Sequence, residues 1–260
     1  MTIHFDCTMC GRCCHNLKLP MSANEAITWL TRGGDVQLLC EASVYPDGQH
    51  QTQRDNYDWQ RSFAASSGTL PVRIRMTFVG AFSGACPYLL ADMRCGGYED
   101  RPRVCRIYPA EVNPFAAIGP AGKSCPPEAW FSDQPVFAVN NAPVDRETRL
   151  LIDAARNAGL EDTVTKETVC VLLGVAEAAF ANEGFAIHTP APATLLVALK
   201  QAIKGPPVGA LDWRIVTNRS STLAMLNSAD ANAMMTSSEQ TFEYHGFFAP
   251  DEAATFAIAA

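Results

Sequence analysis

The stretch over residues 72–79 has the clearest strand pattern in the chain, because apolar and basic residues alternate along its first part. Side chains two positions apart lie on the same face of a strand. One face of this strand is therefore expected in the core, while the other carries Arg73 and Arg75. Shorter strands are predicted over residues 36–40 and 211–217.

Other segments have the spacing and the end signals of helices. Ser22 and Glu25 have the spacing of a capping box, and the glycine pair at 33 and 34 ends the helix that follows. Further helices are predicted over residues 145–158, 165–182, 192–203 and 221–235. The polar stretch 45–68, which contains an Asp-Gly turn signal, is expected to be a loop.

These elements predict an α+β fold in two parts. Residues 1–135 are expected to form an irregular cysteine-cluster metal-binding domain with short strands, whose folding is nucleated by metal. Residues 136–260 are expected to be a mainly helical subdomain. From Ser220 onward the chain has five acids and no Lys or Arg, so this acidic tail is a candidate surface for a protein partner.

Composition and charge narrow the class of protein. The 260-residue chain has a formal net charge of -7 and a pI near 5.2, which does not favour nucleic-acid binding. No apolar run is long enough to span a bilayer, so no membrane partner is expected. The first six residues lack the basic and apolar segments of a secretory signal, which predicts a cytoplasmic protein.

Four of the ten cysteines fall within eight positions near the start, as C-x2-C-x2-C-C from Cys7 to Cys14. In a reducing compartment this density indicates metal or redox chemistry better than structural disulfides, although an even count leaves disulfides open. Gly11 supplies the unrestricted backbone that a tight turn between ligands needs. The doubled Cys13-Cys14 predicts that the two sulfurs serve different metals, bridge two metals, or divide into one ligand and one spare.

A second cysteine region begins at Cys86 and is rich in glycine and proline, as expected of turns folded around something other than a hydrophobic centre. Together the two regions supply eight thiols, enough for two four-coordinate sites or one larger cluster. A structural zinc staple and an iron–sulfur cluster both remain open, because thiolate suits either metal. The eight candidate metal ligands are Cys7, Cys10, Cys13, Cys14, Cys86, Cys95, Cys105 and Cys125.

Several residues near these cysteines are candidates to line a site. His15 adjoins Cys14, whereas Arg106 and Tyr108 follow Cys105, and these three are the candidate cofactor-binding residues. Arg106 is favoured to offset the negative charge of a polythiolate site, whereas Arg103 is expected in an ion pair with neighbouring acids. The two remaining cysteines, at positions 40 and 170, are expected to be buried hydrophobic side chains.

Two separated motifs resemble a known family in order and in detail. They are F-x-C-x2-C-G-x-C-C from Phe5 to Cys14, and Cys86-Pro87-Tyr88-Leu89 followed by the segment 98–109. This pattern, over roughly the first half of the chain, resembles the CxxCxxCC family of putative zinc- or iron-chelating proteins, also called YkgJ-like cysteine cluster proteins. The resemblance implies that the eight cysteines named above chelate zinc or iron.

Three functions are compatible with this reading. The first is a metal-binding protein that coordinates zinc or iron, or an iron–sulfur cluster, through eight thiolates. A more distant resemblance to flagellin lysine N-methylases implies the second, a metal- or iron–sulfur-dependent protein-modifying enzyme. The third is a redox sensor or electron carrier. No phosphate-binding loop, dinucleotide fingerprint or zinc-protease motif is found in the sequence.

Overall fold

The alternating stretch forms the longest strand of the protein, β5 (Leu70–Ala81), which confirms the strand predicted there. Val72, Ile74, Met76 and Phe78 are all buried. The residues between them are only partly buried. The period-two pattern thus decides which face of β5 packs into the core.

The computed structural model of this protein describes residues 1–45, 52–206 and 208–251. Over these residues it has seven helices and twelve strands, which confirms the predicted α+β fold. No helix in these ranges is long and apolar enough to cross a membrane.

The chain divides into two compact units, each built from two separate stretches. The first unit consists of Met1–Val36 and Phe78–Asp162, and the second of Gln37–Thr77 and Thr163–Ala260. All eight candidate metal ligands belong to the first unit, whereas Cys40 and Cys170 belong to the second. The division predicted from the sequence, 1–135 and 136–260, stays a prediction about domains.

The first unit has a small antiparallel sheet and a core formed by Ile3, Ile107, Ala110, Ile118, Ala138 and Ile152. In that sheet β1 (Thr2–His4) pairs with β6 (Val136–Val139), which pairs with β7 (Ala142–Pro143). A separate strand, β2 (Lys18–Met21), pairs with the last four residues of β5. The helices of this unit are α1 (Ala23–Thr31), α3 (Arg103–Ile107) and α4 (Arg146–Glu161).

The second unit has a mixed sheet with helices packed around it. Its strands are β3 (Val36–Ser43), β4 (Phe63–Ser67), β8 (Glu177–Phe180), β9 (Gly184–His188), β10 (Arg214–Thr217), β11 (Ala233–Met235) and β12 (Glu243–Gly246). β8 is parallel to β3 and to β10, and β10 is parallel to β11. β9 is antiparallel to β3 and β12, and β4 is antiparallel to β5. The helices are α2 (Gln53–Gln60), α5 (Thr163–Leu173), α6 (Pro192–Ala202) and α7 (Ser220–Ser228).

The capping signals predicted several helix starts correctly. The Ser22 side chain accepts a hydrogen bond from the Glu25 N–H, and the Glu25 carboxylate accepts from the Ser22 N–H, so the predicted capping box is confirmed at α1. Asp145 caps α4 in the same way, through the Thr148 N–H at 2.7 Å. The helix predicted over residues 192–203 is α6, and the strands predicted over 36–40 and 211–217 are confirmed as β3 and β10.

Three predictions about local structure were wrong. The helix expected over residues 165–182 ends at Leu173, because Gly174 turns the chain with φ +66°, and β8 and β9 follow. The helix expected over 221–235 ends at Ser228 and gives way to β11. The stretch 45–68 is not simply a loop: residues 46–51 lie outside the described residues, but the rest contains α2 and β4.

Candidate metal centre

The first cysteine motif is a tight turn between β1 and β2. Residues Arg12–Cys14 form one turn of 3-10 helix, closed by a 2.9 Å hydrogen bond from the Cys14 N–H to the Gly11 carbonyl oxygen. Gly11 has φ +66°, a left-handed conformation that favours glycine. A Cβ built there would lie 2.6 Å from the Met93 Cε atom. The predicted need for a glycine at this turn is therefore confirmed.

Backbone hydrogen bonds join this turn to the second cysteine region. The Cys86 N–H donates to the Cys14 carbonyl oxygen at 2.7 Å. Two residues away, the Asn16 N–H donates to the Gly84 carbonyl oxygen at 2.8 Å, and the Asn16 Oδ1 accepts from the Gly84 N–H at 2.7 Å. The two regions are thus held together by the main chain, independently of any sulfur ligand.

The other distal cysteines lie on short turns of the same unit. Cys95 forms an isolated β-bridge with Leu89. Cys105 lies within α3, and its N–H bonds to the Pro102 carbonyl oxygen at 2.9 Å. The thiol of Cys125 lies 3.6 Å from the Tyr108 hydroxyl oxygen, within reach of a sulfur hydrogen bond.

The charge interactions among the thiols form two neighbourhoods, which overlap at the adjacent Cys13 and Cys14. Burial, together with the charges of Cys14, Cys86 and Cys95, raises the pKa of Cys105 to about 12. The pKa of Cys86 is raised by burial and, to a smaller extent, by the charges of Cys14 and Cys95. We call these four residues the second thiol group: Cys14, Cys86, Cys95 and Cys105.

The remaining four are linked by the effects of their charges on Cys13 and Cys125. Together, burial, the charge and thiol hydrogen bond of the adjacent Cys14, and the smaller effects of the Cys125 and Cys7 charges raise the pKa of Cys13 to about 12. Burial also raises the pKa of Cys125, to which the charges of Cys7 and Cys10 contribute. We call this set the first thiol group: Cys7, Cys10, Cys13 and Cys125. The groups meet at Cys14, whose pKa burial raises and which also interacts with Cys13 and Cys7.

The donor set suits zinc or iron, because thiolate is the preferred ligand of both in structural and cluster sites. The arrangement is nevertheless not a finished coordination shell. Among the side chains that the structure describes, no three Cys, His, Asp or Glu form a group that could hold a metal ion as placed. Because the pKa values of Cys13 and Cys105 are raised, metal binding must expel the protons of these thiols.

The three candidate lining residues have different surroundings. The Nδ1 atom of His15 lies 3.1 Å from the Gly11 carbonyl oxygen, inside the cysteine turn. The hydroxyl oxygen of Tyr108 contacts the Cys125 thiol and accepts from the Ser124 N–H at 3.2 Å. Arg106 forms an ion pair of 2.7 Å with Glu147.

Arg101 is the arginine whose charge acts on Cys14 and Cys105, whereas Arg12 acts on Cys10. The Arg101 guanidinium opposes the rise in pKa that burial causes at Cys14 and Cys105. Arg103 pairs with Glu25 on α1 at 3.2 Å, a partner far away in the sequence. The sequence pointed to Arg106 instead, because it is adjacent to Cys105. Consecutive side chains of a helix point in different directions, so the residue next to Cys105 need not face its thiol.

The two cysteines outside the motifs are fully buried in the second unit, as predicted. Cys40 lies on β3 and Cys170 on α5, and their thiols share a hydrogen bond. That bond, together with burial, raises the pKa of Cys40. No local pattern predicts this pairing, because 129 intervening residues separate the two positions.

Residues 6–126 match the model of the CxxCxxCC family, described as a "Putative zinc- or iron-chelating domain". The match confirms the resemblance seen in the motifs and extends from before Cys7 to just after Cys125. It supports a metal-binding role with zinc or iron as the metal. No curated protein and no solved structure matches the chain.

Proposed function

We propose that this protein binds zinc or iron through eight cysteine thiolates, arranged as the first and second thiol groups. The observation that supports this most is the division of the thiols into two sets of four that influence one another within each set. Four thiolates complete the tetrahedral shell of one zinc ion, or hold one iron–sulfur cluster. Each group therefore has the ligand number that one metal centre requires.

Adjacent positions of Cys13 and Cys14 explain how one short turn serves two centres. Their thiols share a hydrogen bond, and each thiol also interacts with a different set of distal cysteines, so the pair would lie where the two centres meet. Cys13 joins Cys125, whereas Cys14 joins Cys86, Cys95 and Cys105. The doubled cysteine then has the first of the three roles considered for it, that of serving different metals.

Charge around the second thiol group favours a loaded state. A divalent ion with four thiolates has a formal charge of about -2, which nearby cations stabilise. Arg101 is placed to supply one such charge beside Cys14 and Cys105. Binding also closes the long chain segment between Cys14 and Cys86, whose ends are already joined by a backbone hydrogen bond. Metal would thereby stabilise the first unit as a whole.

The direct experiment is metal analysis of protein purified without oxygen. Zinc, iron and acid-labile sulfide are measured per chain, and the visible spectrum is recorded. Colourless protein with two zinc ions and no sulfide identifies two zinc sites, whereas brown protein containing sulfide identifies iron–sulfur clusters. Protein that holds neither metal, and that does not retain zinc or ferrous iron after anaerobic reconstitution, would contradict the proposal.

A further inference from the structure

A cavity of about 250 Å³ opens on the first unit between α1 and the start of α3. Its lining includes the rings of Trp29 and Tyr88 and four arginines: Arg32, Arg101, Arg103 and Arg106. Only two carboxylates line it, those of Glu25 and Asp100. The cavity is therefore a cleft of positive charge in a protein whose overall charge is negative.

Three of these arginines have a carboxylate partner. The pairs are Arg32 with Asp100 at 3.0 Å, Arg103 with Glu25 at 3.2 Å, and Arg106 with Glu147 at 2.7 Å. Arg101 differs, because no carboxylate of the described residues lies within 4.0 Å of it; its guanidinium lies instead 3.8 Å over the ring of Tyr98. Its charge is the one in the cleft that no acid neutralises.

Two buried polar atoms of the same lining lack a hydrogen-bond partner. They are the Nε atom of Arg101 and the hydroxyl oxygen of Tyr88, for neither of which the described part of the chain supplies a donor or acceptor. Such atoms are rare in folded proteins, because each costs free energy unless water or a ligand satisfies it. Both atoms require an acceptor, since a guanidinium can only donate and a phenol hydroxyl donates readily.

We propose that this cleft binds a small oxyanion, a phosphate or a carboxylate group, through Arg101 and Tyr88. The oxygens of the anion accept hydrogen bonds from the Arg101 guanidinium and from the Tyr88 hydroxyl. Arginine suits this role because its planar fork matches both anions and stays charged at every physiological pH. The other three arginines are paired with carboxylates, so the net positive charge that draws an anion into the cleft is that of Arg101.

The proposed anion would bind close to the candidate metal centre. Arg101 acts on the charges of Cys14 and Cys105, so a bound anion would lie beside the second thiol group. The edge-on rings of Trp29 and Tyr88, with centroids 5.0 Å apart, give the rest of a small ligand an aromatic wall. The chemical class assigned is a small anionic metabolite with one terminal phosphate or carboxylate.

Isothermal titration of the full-length, metal-loaded protein with inorganic phosphate and, separately, with succinate tests this site. We expect saturable binding of at least one anion, and the stronger of the two assigns a phosphoryl or a carboxylate ligand. R101Q should weaken binding by about tenfold or more, because it removes a charge-assisted hydrogen bond. Y88F should weaken it several-fold.

Matched variants separate the site from general charge effects. R214Q removes one exposed cation from the second unit, and Y98F keeps the ring under Arg101 while removing a hydroxyl. Both should bind the anion as the wild type does. Absence of saturable binding of either anion, or equal affinities of wild type and R101Q, would overturn the proposal. If R101Q does not fold, the affinities of Y88F and Y98F for the anion are compared instead. Equal affinities of these two variants would overturn the proposal. Metal content is measured on every sample, so loss of the metal centre is detected separately.

Discussion

The backbone N–H of Cys86 donates a 2.7 Å hydrogen bond to the carbonyl oxygen of Cys14, across a long stretch of sequence. One residue from each cysteine region is thereby fixed next to the other by the main chain. The second thiol group is consequently assembled in part before any metal arrives. A preorganised pair of ligands lowers the conformational entropy that metal binding must overcome.

Asn16 is predicted to hold this junction together. It has φ +52°, and its side chain accepts the Gly84 N–H at 2.7 Å. Asn16→Ala loses the hydrogen bond and strains the left-handed backbone, so we expect the unfolding free energy to fall by about 2 kcal/mol. Asn16→Gly loses the bond but relieves the strain, so its loss should be the smaller of the two. Denaturant titrations measure both, and equal stability of Asn16→Ala and wild type would refute this role.

Gly11 is predicted to be essential to the cysteine turn. Gly11→Ala places a Cβ 2.6 Å from Met93 Cε at a backbone angle that L residues rarely adopt. The left-handed backbone is strained by any Cβ and Met93 must move aside, so we expect the variant to retain less metal per chain than the wild type. Gly119→Ala is the matched control, because a Cβ there meets nothing within 4 Å. Metal analysis checks the pair, and full metal content in Gly11→Ala would count against the model of the turn.

The ten cysteines should fall into two classes of reactivity toward an alkylating agent. Metal removal by a chelator is expected to expose the eight thiols of the two groups to the reagent, because they are exposed or only partly buried, with Cys13 and Cys105 the slowest to react because their raised pKa values leave little thiolate. Cys40 and Cys170 are fully buried, so they should stay unmodified until the second unit unfolds. Mass spectrometry of labelled peptides measures this, and chelator-dependent labelling of Cys40 would contradict the assignment.

The alternation in β5 and the capping box at α1 could be predicted because both are local. Residues 176–188 could not, since their alanines and glutamates are good helix formers. They become β8 and β9 only because β3 and β10 offer them hydrogen-bonding partners. Tertiary pairing overrides local propensity in such segments.

The candidate site likewise has features that could be predicted from local sequence and features that could not. Eight cysteines could be named from two motifs, because the ligand type and its spacing are written in the sequence. Which thiols lie near one another depends on how turns that are distant in the sequence pack together. The spacing of the cysteines does not predict this. The same is true of Arg101 and Tyr88, whose importance depends on partners that they lack in the folded chain.

Stability of the second unit should decline in mild acid on account of His188. Burial lowers the pKa of this histidine, whose Nε2 lies 2.8 Å from the Glu177 carbonyl oxygen. Below a pH of about 6.5, His188 is protonated in the unfolded chain but stays neutral in the folded chain until the pH is lower. The unfolding free energy therefore falls as pH falls. Above that pH the imidazole is neutral in both states and contributes no slope. Denaturation at a series of pH values should give a shallower decline for His188→Gln than for the wild type, and identical slopes would exclude this cause.

Metal content of single-group variants tests the central claim most directly. Cys125→Ser removes a ligand of the first thiol group, Cys105→Ser removes one of the second, and Cys40→Ala changes a thiol outside both. Each of the two serine variants should retain about half of the wild-type metal, their combination should retain almost none, and Cys40→Ala should retain all of it. If either single serine variant kept the full metal content, or if each lost all of it, the division into two four-thiol centres would be contradicted.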